Sequence, residues 1–240
     1  MPMANRIKFP KASDLFRFNR KWDLHSHTTF VDGKNSVKEM IEAAENKGLE
    51  LFAITEHVRS SAIQWWRGYV KEIHEQCRGR KIQVLIGMET NAIGVSGSVD
   101  VTEEMWQDAE LILGSVHGYY HEEEGWAKIP IGSLSHEKAL RYEVEKAIGL
   151  CHHPQIHVLA HPCWLFEKYY GEMPESELRM LFRVARETNT AIELNGDYLN
   201  NPKRFLNILM DENPTVSFGS NAHSIHEIKN ILLDLKEFLS

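Results

Sequence analysis

The stretch Leu-Phe-Ala-Ile-Thr-Glu-His at residues 51–57 joins an apolar run to two side chains that can bind metal ions. The four consecutive apolar residues predict a buried strand, and the amphipathic stretch that follows at residues 63–77 predicts a helix. The same order recurs along the chain: an apolar strand, a polar residue where the strand ends, and a helix. The protein is therefore predicted to be built from βα units.

Seven strands and seven helices are predicted. The strands are at residues 21–24, 51–54, 82–86, 111–113, 157–159, 191–194 and 216–218. The helices are one capped by Ser36 and ended by Gly48, and others at residues 63–77, 102–108, 135–150, 176–187, 202–210 and 225–239, with a loop at 118–132. Apolar strands that alternate with helices favour a parallel sheet covered by helices, so we expect one α/β barrel domain over residues 1–240. A doubly wound open sheet is the alternative.

The overall composition narrows the possible functions. Of the 240 residues, 42% are hydrophobic, and 27 Lys and Arg against 34 Asp and Glu give a formal charge of −7. This acidity argues against a nucleic-acid surface, which needs a basic stripe. It permits a small phosphorylated substrate, because bound metal ions would invert the local potential. The oligomeric state stays open.

Targeting and redox features favour the cytoplasm. Cys77, Cys151 and Cys163 are too few and too scattered for a disulfide framework. Residues 1–11 lack the apolar core of a signal peptide, and no apolar run is long enough to cross a membrane. We therefore expect a cytoplasmic protein with no membrane partner.

Metal-binding side chains follow almost every predicted strand. They are His25, His27, His57, Glu89, His117, His161, Glu193, Asn195, Asn221 and His223. Catalytic groups gather where the carboxyl ends of parallel barrel strands meet, so these residues are predicted to share one site. His25 and His27, two positions apart, point to the same side of a strand and can reach one ion.

The chemistry of these residues favours hydrolysis of a phosphoester. Imidazole and carboxylate ligands without thiolates suit Zn, Mn or Fe. A carboxylate such as Glu89 can bridge two ions. Adjacent metal ions supply both a hydroxide at neutral pH and a clamp on charged phosphate oxygens. Two or three divalent ions are expected.

An ordered set of motifs resembles the PHP (polymerase and histidinol phosphatase) domain family. The motifs are Asp-Leu-His-Ser-His-Thr at 23–28, Val-Asp-Gly at 31–33, Ile-Thr-Glu-His at 54–57, Gly-Met-Glu at 87–89, Gly-Ser-Val-His at 114–117, Ala-His-Pro at 160–162 and Gly-Ser-Asn-Ala-His at 219–223. The resemblance covers residues 22–226. It implies a distorted seven-stranded, TIM-like barrel with a trinuclear metal centre.

The resemblance also implies a ligand set. One ion would be bound by His25, His27 and Glu89, and a second by Glu89 with His117 and His161. The third would be bound by Asp32, His57 and His223. Among these positions and Asn221, we expect catalytic roles for Glu89, His117 and Asn221.

Asn221 departs from the family pattern, which usually has Asp there. An amide oxygen can bind a metal, but it carries no negative charge and cannot act as a base. The ion at His25 and His27 would then be held more weakly, or activity would be reduced.

Three basic residues follow strand ends and are candidates for binding a substrate phosphate: Arg59, Arg67 and Lys168. Glu193 and Asn195 lie on one side of a strand end and are predicted to orient ligands or substrate. None of these assignments follows from the motifs.

The resulting prediction is a histidinol-phosphatase-like hydrolase in which a metal-bound hydroxide attacks the phosphorus of a small phosphomonoester. A nucleotide phosphodiesterase or an amidohydrolase-type hydrolase is an alternative within the same class. A catalytically impaired metal-binding module, favoured by Asn221, is the alternative from a different class.

Overall fold

Seven parallel strands form the centre of the protein, which is described here by a computed structural model covering residues 7–121, 127–195 and 201–239. The strands are β1 (Trp22–Asp23), β2 (Leu51–Val58), β3 (Gln83–Asn91), β4 (Leu111–Ser115), β7 (Val158–Leu159), β8 (Ala191–Leu194) and β9 (Val216–Phe218). They pair in the order β1-β2-β3-β4-β7-β8-β9, with every neighbouring pair parallel. The sheet curves into a nearly closed barrel, which confirms the predicted α/β barrel.

Helices cover the outside of this barrel. They are α1 (Val37–Asn46), α2 (Ile63–Gln76), α3 (Glu103–Asp108), α4 (His136–His152), α5 (Trp164–Tyr170), α6 (Glu175–Thr188), α7 (Pro202–Glu212) and α8 (Ile231–Leu239). Ser36 caps α1 as predicted, with its side chain bound to the backbone N–H of Glu39 and the Glu39 carboxylate returning to the backbone N–H of Ser36.

Alternation along the strands separates two apolar layers. Inside the barrel, small and branched residues fill the narrow interior: Leu24, Leu51, Ala53, Leu85, Leu111, Leu113, Val158, Ala160 and Ala191. The opposite face of β2 places Phe52 and Ile54 against the helices, in the larger core cluster. A filled interior means that polar residues can gather only at the ends of the barrel.

The barrel closes between its first and last strands along a short seam, residues 24–27 against residues 218–222. The backbone N–H of Leu24 donates to Phe218 O at 2.8 Å, and that of His27 donates to Ala222 O at 2.8 Å. Ser26 and Ala222 form an isolated parallel bridge. The seam lies beside the predicted metal ligands of both strands.

The predicted loop at residues 118–132 contains regular structure instead. Strands β5 (Tyr119–His121) and β6 (Ala127–Ile129) form an antiparallel pair, with Tyr119 opposite Ile129. Residues 122–126, also in the predicted loop, lie outside the described part. Neither segment is a continuous apolar run like those that located the central strands, since each includes a polar residue, so the pattern missed them.

One helix prediction was wrong at its start, and one helix was not predicted. The last helix begins at Ile231 and not at residue 225, because backbone N–H groups before it have other acceptors: that of Ile225 donates to Asn35 Oδ1 and that of Lys229 to Asp23 Oδ2. Helix α5 was not predicted; it has seven residues and starts after Cys163, whose φ of 71° is unusual for a helix start. In the described residues, we find no helix with the length and apolarity needed to cross a membrane.

Candidate metal centre

The predicted metal ligands lie together at the carboxyl end of the barrel. His25 and His27 follow β1, His57 lies near the end of β2, and Glu89 is in β3. The remaining ligands follow β4, β7 and β9: His117, His161, Asn221 and His223. Most residues of these strands are buried, so the sheet fixes the backbone from which each ligand projects.

Glu89 occupies the centre of the cluster, with its side chain fully buried. Its Oε1 lies 2.8 Å from His161 Nε2 and 3.2 Å from His117 Nε2. Its Oε2 lies 2.8 Å from His57 Nδ1 and 3.4 Å from His25 Nε2. One carboxylate therefore faces histidines from four other strand ends.

The ligand atoms form three groups that overlap. One comprises His25, His27 and Glu89; a second comprises His57, Glu89 and His117; the third comprises His27, Asp32, His57 and His223. His161 joins the second group through its contacts with Glu89 and with His117 Nε2, which is 3.2 Å away. Glu89, His27 and His57 are each shared by two groups, as expected for a centre with closely spaced ions.

The geometry of the donors fits divalent cations. Among the described residues, Glu89 Oε2 has no hydrogen-bond donor in suitable geometry, although His57 Nδ1 is 2.8 Å away. The Nε2 atoms of His25 and His27 face each other at 3.1 Å. Ring nitrogens and carboxylate oxygens that converge on common points are arranged as ligands of third atoms, and their chemistry suits Zn, Mn or Fe.

Charge at the site is strongly coupled. Burial acts to raise the pKa of Glu89, but the imidazoles of His117, His25 and His57 outweigh it and hold the pKa well below its usual range. Burial acts to lower the pKa of His25, but the carboxylates of Glu193 and Glu89 outweigh it and raise the pKa to about 10. The carboxylates thus create a potential that attracts positive charge.

Asp32 forms the more open side of the centre. Its Oδ2 lies 3.5 Å from His57 Nε2 and 3.5 Å from His223 Nε2. The Asp32 side chain is 49% exposed, whereas those of His25 and His27 are fully buried. The side of the centre formed by His25 and His27 is therefore buried, and the side formed by Asp32 is accessible to solvent.

Asn221 lies where the motif places it. Its Oδ1 is 2.8 Å from His27 Nε2, and its backbone is in the left-handed region with φ of 54°. Asn is one of the residue types that adopt this conformation most readily. The amide oxygen, not a charged group, therefore completes the surroundings of the first group.

Buried polar groups support the ligands from behind. Glu193 accepts from His25 Nδ1 and from the backbone N–H of His161, both at 2.7 Å. Asp23 accepts from the backbone N–H and the hydroxyl of Ser220 and so ties β1 to the loop that carries Asn221. Burial raises the pKa of Asp23 to about 6, against the opposing effect of these hydrogen bonds.

Two clefts open beside the ligands, and both include His57 and His117. The first, of about 500 Å³, is also lined by Arg59, Ser61, Asn91 and an apolar wall. The second, of about 370 Å³, is also lined by Lys128, Ile131, Trp164, Leu165 and Tyr169. An ester bound at the metal ligands could extend into either cleft.

The three predicted phosphate-binding residues have different surroundings. Arg59 lines the first cleft, and its Nη2 lies 3.3 Å from the hydroxyl of Tyr120. Lys168 Nζ lies 4.7 Å from the centre of the ring of Trp164, which lines the second cleft, but Lys168 is not itself one of the residues described as lining that cleft. Arg67 is not brought to the centre: its side chain is 81% exposed and paired with Glu104.

Sequence reasoning missed Lys128, Trp164 and Tyr169. Lys128 is carried by the β5–β6 pair, which was predicted as a loop, and the other two are on α5, which was not predicted. The only signal in the sequence is the aromatic stretch 164–170 directly after the motif at 160–162.

Comparisons with known proteins agree with this architecture. The PHP domain family matches residues 23–197. The protein named "Probable phosphatase" in Acetivibrio thermocellus is 26% identical over 218 residues, covering 86% of this chain and 80% of its own length. PolX, a DNA polymerase/3'-5' exonuclease of Bacillus subtilis, is 24% identical over 221 residues; the match covers 88% of this chain but only 35% of PolX.

Solved structures show the same fold. The histidinol phosphate phosphatase of Lactococcus lactis, complexed with zinc, L-histidinol and phosphate, matches with a TM-score of 0.62 at 16% identity, over 90% of this chain and 93% of its own. The hisK protein of Listeria monocytogenes matches with a TM-score of 0.67 at 17% identity, over 87% of this chain and 97% of its own. On the family match and the ordered ligands, this chain belongs to the PHP domain family.

Proposed function

We propose that the protein is a metal-dependent phosphoesterase that hydrolyses a small phosphomonoester with two or three divalent ions of Zn, Mn or Fe. The observation that carries this proposal is the sharing of Glu89, His27 and His57 between overlapping ligand groups. A single structural ion would need only one group, whereas overlapping groups suit ions spaced closely enough to act on one phosphate.

The residues around the ligands suit a phosphate ester. Ions bound here would supply a nucleophile from water at neutral pH and neutralise the phosphate oxygens. Arg59 lines the first cleft and Lys128 lines the second, and His57 and His117 line both. Either cation can bind a phosphate oxygen or a second anionic group of the substrate.

The second cleft suits the organic part of the substrate. Trp164 and Tyr169 offer aromatic faces, and Ile131 and Leu165 add apolar surface. Small-molecule sites combine such walls with a few polar groups that fix orientation. Of the substrates that this centre could accept, we favour a phosphomonoester with an aromatic or apolar leaving group, such as histidinol phosphate, over a phosphodiester.

Metal content and hydrolysis test the proposal together. The purified chain would be stripped with a chelator, reconstituted with Zn, Mn or Fe, and assayed with p-nitrophenyl phosphate and then histidinol phosphate. We expect two or three ions per chain and hydrolysis that returns only with metal. A chain that binds no metal after reconstitution would contradict the central claim.

A metal-binding module without useful activity is the second candidate, and Asn221 is the observation that favours it. The neutral amide at 2.8 Å from His27 Nε2 replaces a negative charge at the most buried group. Stoichiometric metal with no turnover of any phosphomonoester would support this candidate over the first.

A further inference from the structure

Glu193, at the end of β8, contacts two metal-ligand histidines that belong to different groups. Its side chain is 1% exposed. Oε1 lies 2.7 Å from His25 Nδ1, and Oε2 accepts from the backbone N–H of His161 at 2.7 Å. One carboxylate therefore uses each oxygen on a different ligand.

The first contact selects the metal-facing nitrogen of His25. A carboxylate only accepts hydrogen bonds, so His25 Nδ1 must carry a proton. Nε2 is then the atom left to present a lone pair, and it faces His27 Nε2 at 3.1 Å and Glu89 Oε2 at 3.4 Å. Glu193 thus directs His25 toward the first ligand group.

The second contact holds a strained backbone. His161 has φ of 28°, a value that residues other than glycine rarely adopt. This conformation places His161 Nε2 at 2.8 Å from Glu89 Oε1 and 3.2 Å from His117 Nε2, in the second ligand group. A charged acceptor for the backbone N–H offsets part of the strain.

The backbone of the next strand fixes the carboxylate in place. A Cβ atom added at Gly219 would lie 2.2 Å from Glu193 Oε1 and 2.5 Å from His25 Cβ. Only glycine allows the chain after β9 to approach so closely. Glu193 is therefore confined between β1, β9 and His161.

We propose that Glu193 is a positioning residue that couples two of the metal-binding groups, by orienting the His25 ring and holding the His161 backbone with the same carboxylate. This inference rests on the proposed metal centre. Such supporting carboxylates typically contribute about 10- to 100-fold to metal affinity. The new element is that one side chain serves both groups, so its loss weakens both.

The Glu193→Gln variant tests the coupling with little change in size. If the amide oxygen accepts from the His161 N–H, the amide nitrogen faces His25 Nδ1 and favours its unprotonated form. If the amide is reversed, it places a donor against the His161 N–H. We expect zinc affinity at both the tighter and the weaker site to fall about 10- to 100-fold, measured by competition with a chelator.

The matched control is Glu143→Gln. Glu143 is also fully buried, and among the described residues it hydrogen-bonds to the Tyr119 hydroxyl, not to a ligand histidine. We expect its zinc affinities to stay within about twofold of the parent. In the zinc-loaded parent, proton NMR should show a downfield resonance from the His25 Nδ1–H, which Glu193→Gln loses and Glu143→Gln keeps.

The outcomes separate this inference from the proposed function. If the parent binds no metal, the proposed function fails. If the parent binds metal and a folded Glu193→Gln binds it equally at all sites with an unchanged His25 resonance, only the coupling fails. If Glu193→Gln does not fold, Glu193→Asp takes its place: the shorter carboxylate cannot span both contacts, and unchanged affinity at both sites would overturn the coupling.

Discussion

Two fully buried glutamates in this protein have pKa values that are shifted in opposite directions. Glu89 in the metal centre is surrounded by histidines, which hold its pKa well below the usual range. Glu143 on α4 is buried to the same degree, and burial raises its pKa to about 8 against the opposing effects of Tyr119 and Lys146. The difference teaches that burial alone does not mark a functional carboxylate; the groups that share its cavity do.

The same comparison explains which region demands a cation. Around Glu89, Oε1 contacts His161 Nε2 at 2.8 Å, whereas Oε2 has no hydrogen-bond donor among the described residues, and the Nε2 atoms of His25 and His27 face each other at 3.1 Å. Around Glu143, the Tyr119 hydroxyl donates to Oε2 at 3.0 Å, and a protonated carboxyl can stay buried. The buried negative charge of Glu89 is therefore expected to be neutralised by metal cations, whereas that of Glu143 is neutralised by a bound proton.

Replacing Glu89 by Gln should give the largest effect. The amide keeps the shape but removes the charge shared by two ligand groups, so we expect metal affinity to fall by more than ~100-fold, beyond the range of supporting residues, and phosphatase activity with it. Elemental analysis after dialysis and a p-nitrophenyl phosphate assay measure both. Glu143→Gln serves as the control. A Glu89→Gln chain that retains full metal content would break the comparison.

Glu143→Gln should change the pH dependence of stability. The folded carboxyl, with its pKa near 8, binds a proton that the unfolded one releases near 4.5, so the parent loses stability as pH rises through this window and no more above it. The Gln variant lacks this loss. Its free energy of unfolding relative to the parent should increase by on the order of 3–5 kcal/mol between pH 4 and pH 9.

Urea unfolding of both chains across that pH range measures the difference, in which titrations common to both chains cancel. A difference that is constant with pH would mean that Glu143 is ionised in the folded protein. The two buried glutamates would then be alike.

Asn221→Asp should strengthen metal binding. The change adds a negative charge at a position 2.8 Å from His27 Nε2, in a region that attracts cations. We expect metal affinity to rise about tenfold, equivalent to about 1.4 kcal/mol, well below the unscreened Coulomb energy. Competition with a chelator measures it, and a gain in phosphatase activity would show that Asn221 limits catalysis.

Asn189→Asp is the matched control, since Asn189 also has a left-handed backbone, with φ of 61°, but is exposed at the end of α6. Equal affinities for the parent and Asn221→Asp would mean that the amide oxygen serves as well as a carboxylate.

Arg59→Ala should have the smallest effect, confined to substrate binding. Arg59 lines the cleft beside His57 and His117 but is not among the ligand groups. We expect KM for p-nitrophenyl phosphate to rise about three- to tenfold with metal content unchanged, as for one charged hydrogen bond at a partly exposed site. Arg67→Ala, which removes the arginine paired with Glu104, should leave KM unchanged. If Arg67→Ala raised KM and Arg59→Ala did not, the substrate phosphate would instead bind near α2.

The positions of most metal ligands were predictable because these residues lie at or just after the ends of strands. Apolar runs located the strands, and parallel strands bring their carboxyl ends to one side, so His25, Glu89 and His161 converge whatever the loops do. The family motifs added Asp32, which follows no strand directly. Burial of each strand explains why short runs sufficed.

The clefts were not predictable because they depend on irregular segments. Lys128 reaches the second cleft from a strand of three residues, and Trp164 starts a helix that lacks a side-chain cap. Neither element repeats the pattern of an apolar run ended by a polar residue that located the central strands. The role of Arg67 likewise depended on a partner, Glu104, that is 37 positions away in the sequence.

The seam between β1 and β9 sets the order in which the centre can be assembled. Its two sides carry His27 and Asn221, which are 194 positions apart yet in contact. During synthesis, the first strands can pair and place Glu89 beside His25 long before the last ligands exist. A nascent chain would therefore have a partial set of ligands, and an ion captured early could be enclosed only when β9 docks. Closure of the barrel and completion of the ligand set therefore both depend on the docking of β9.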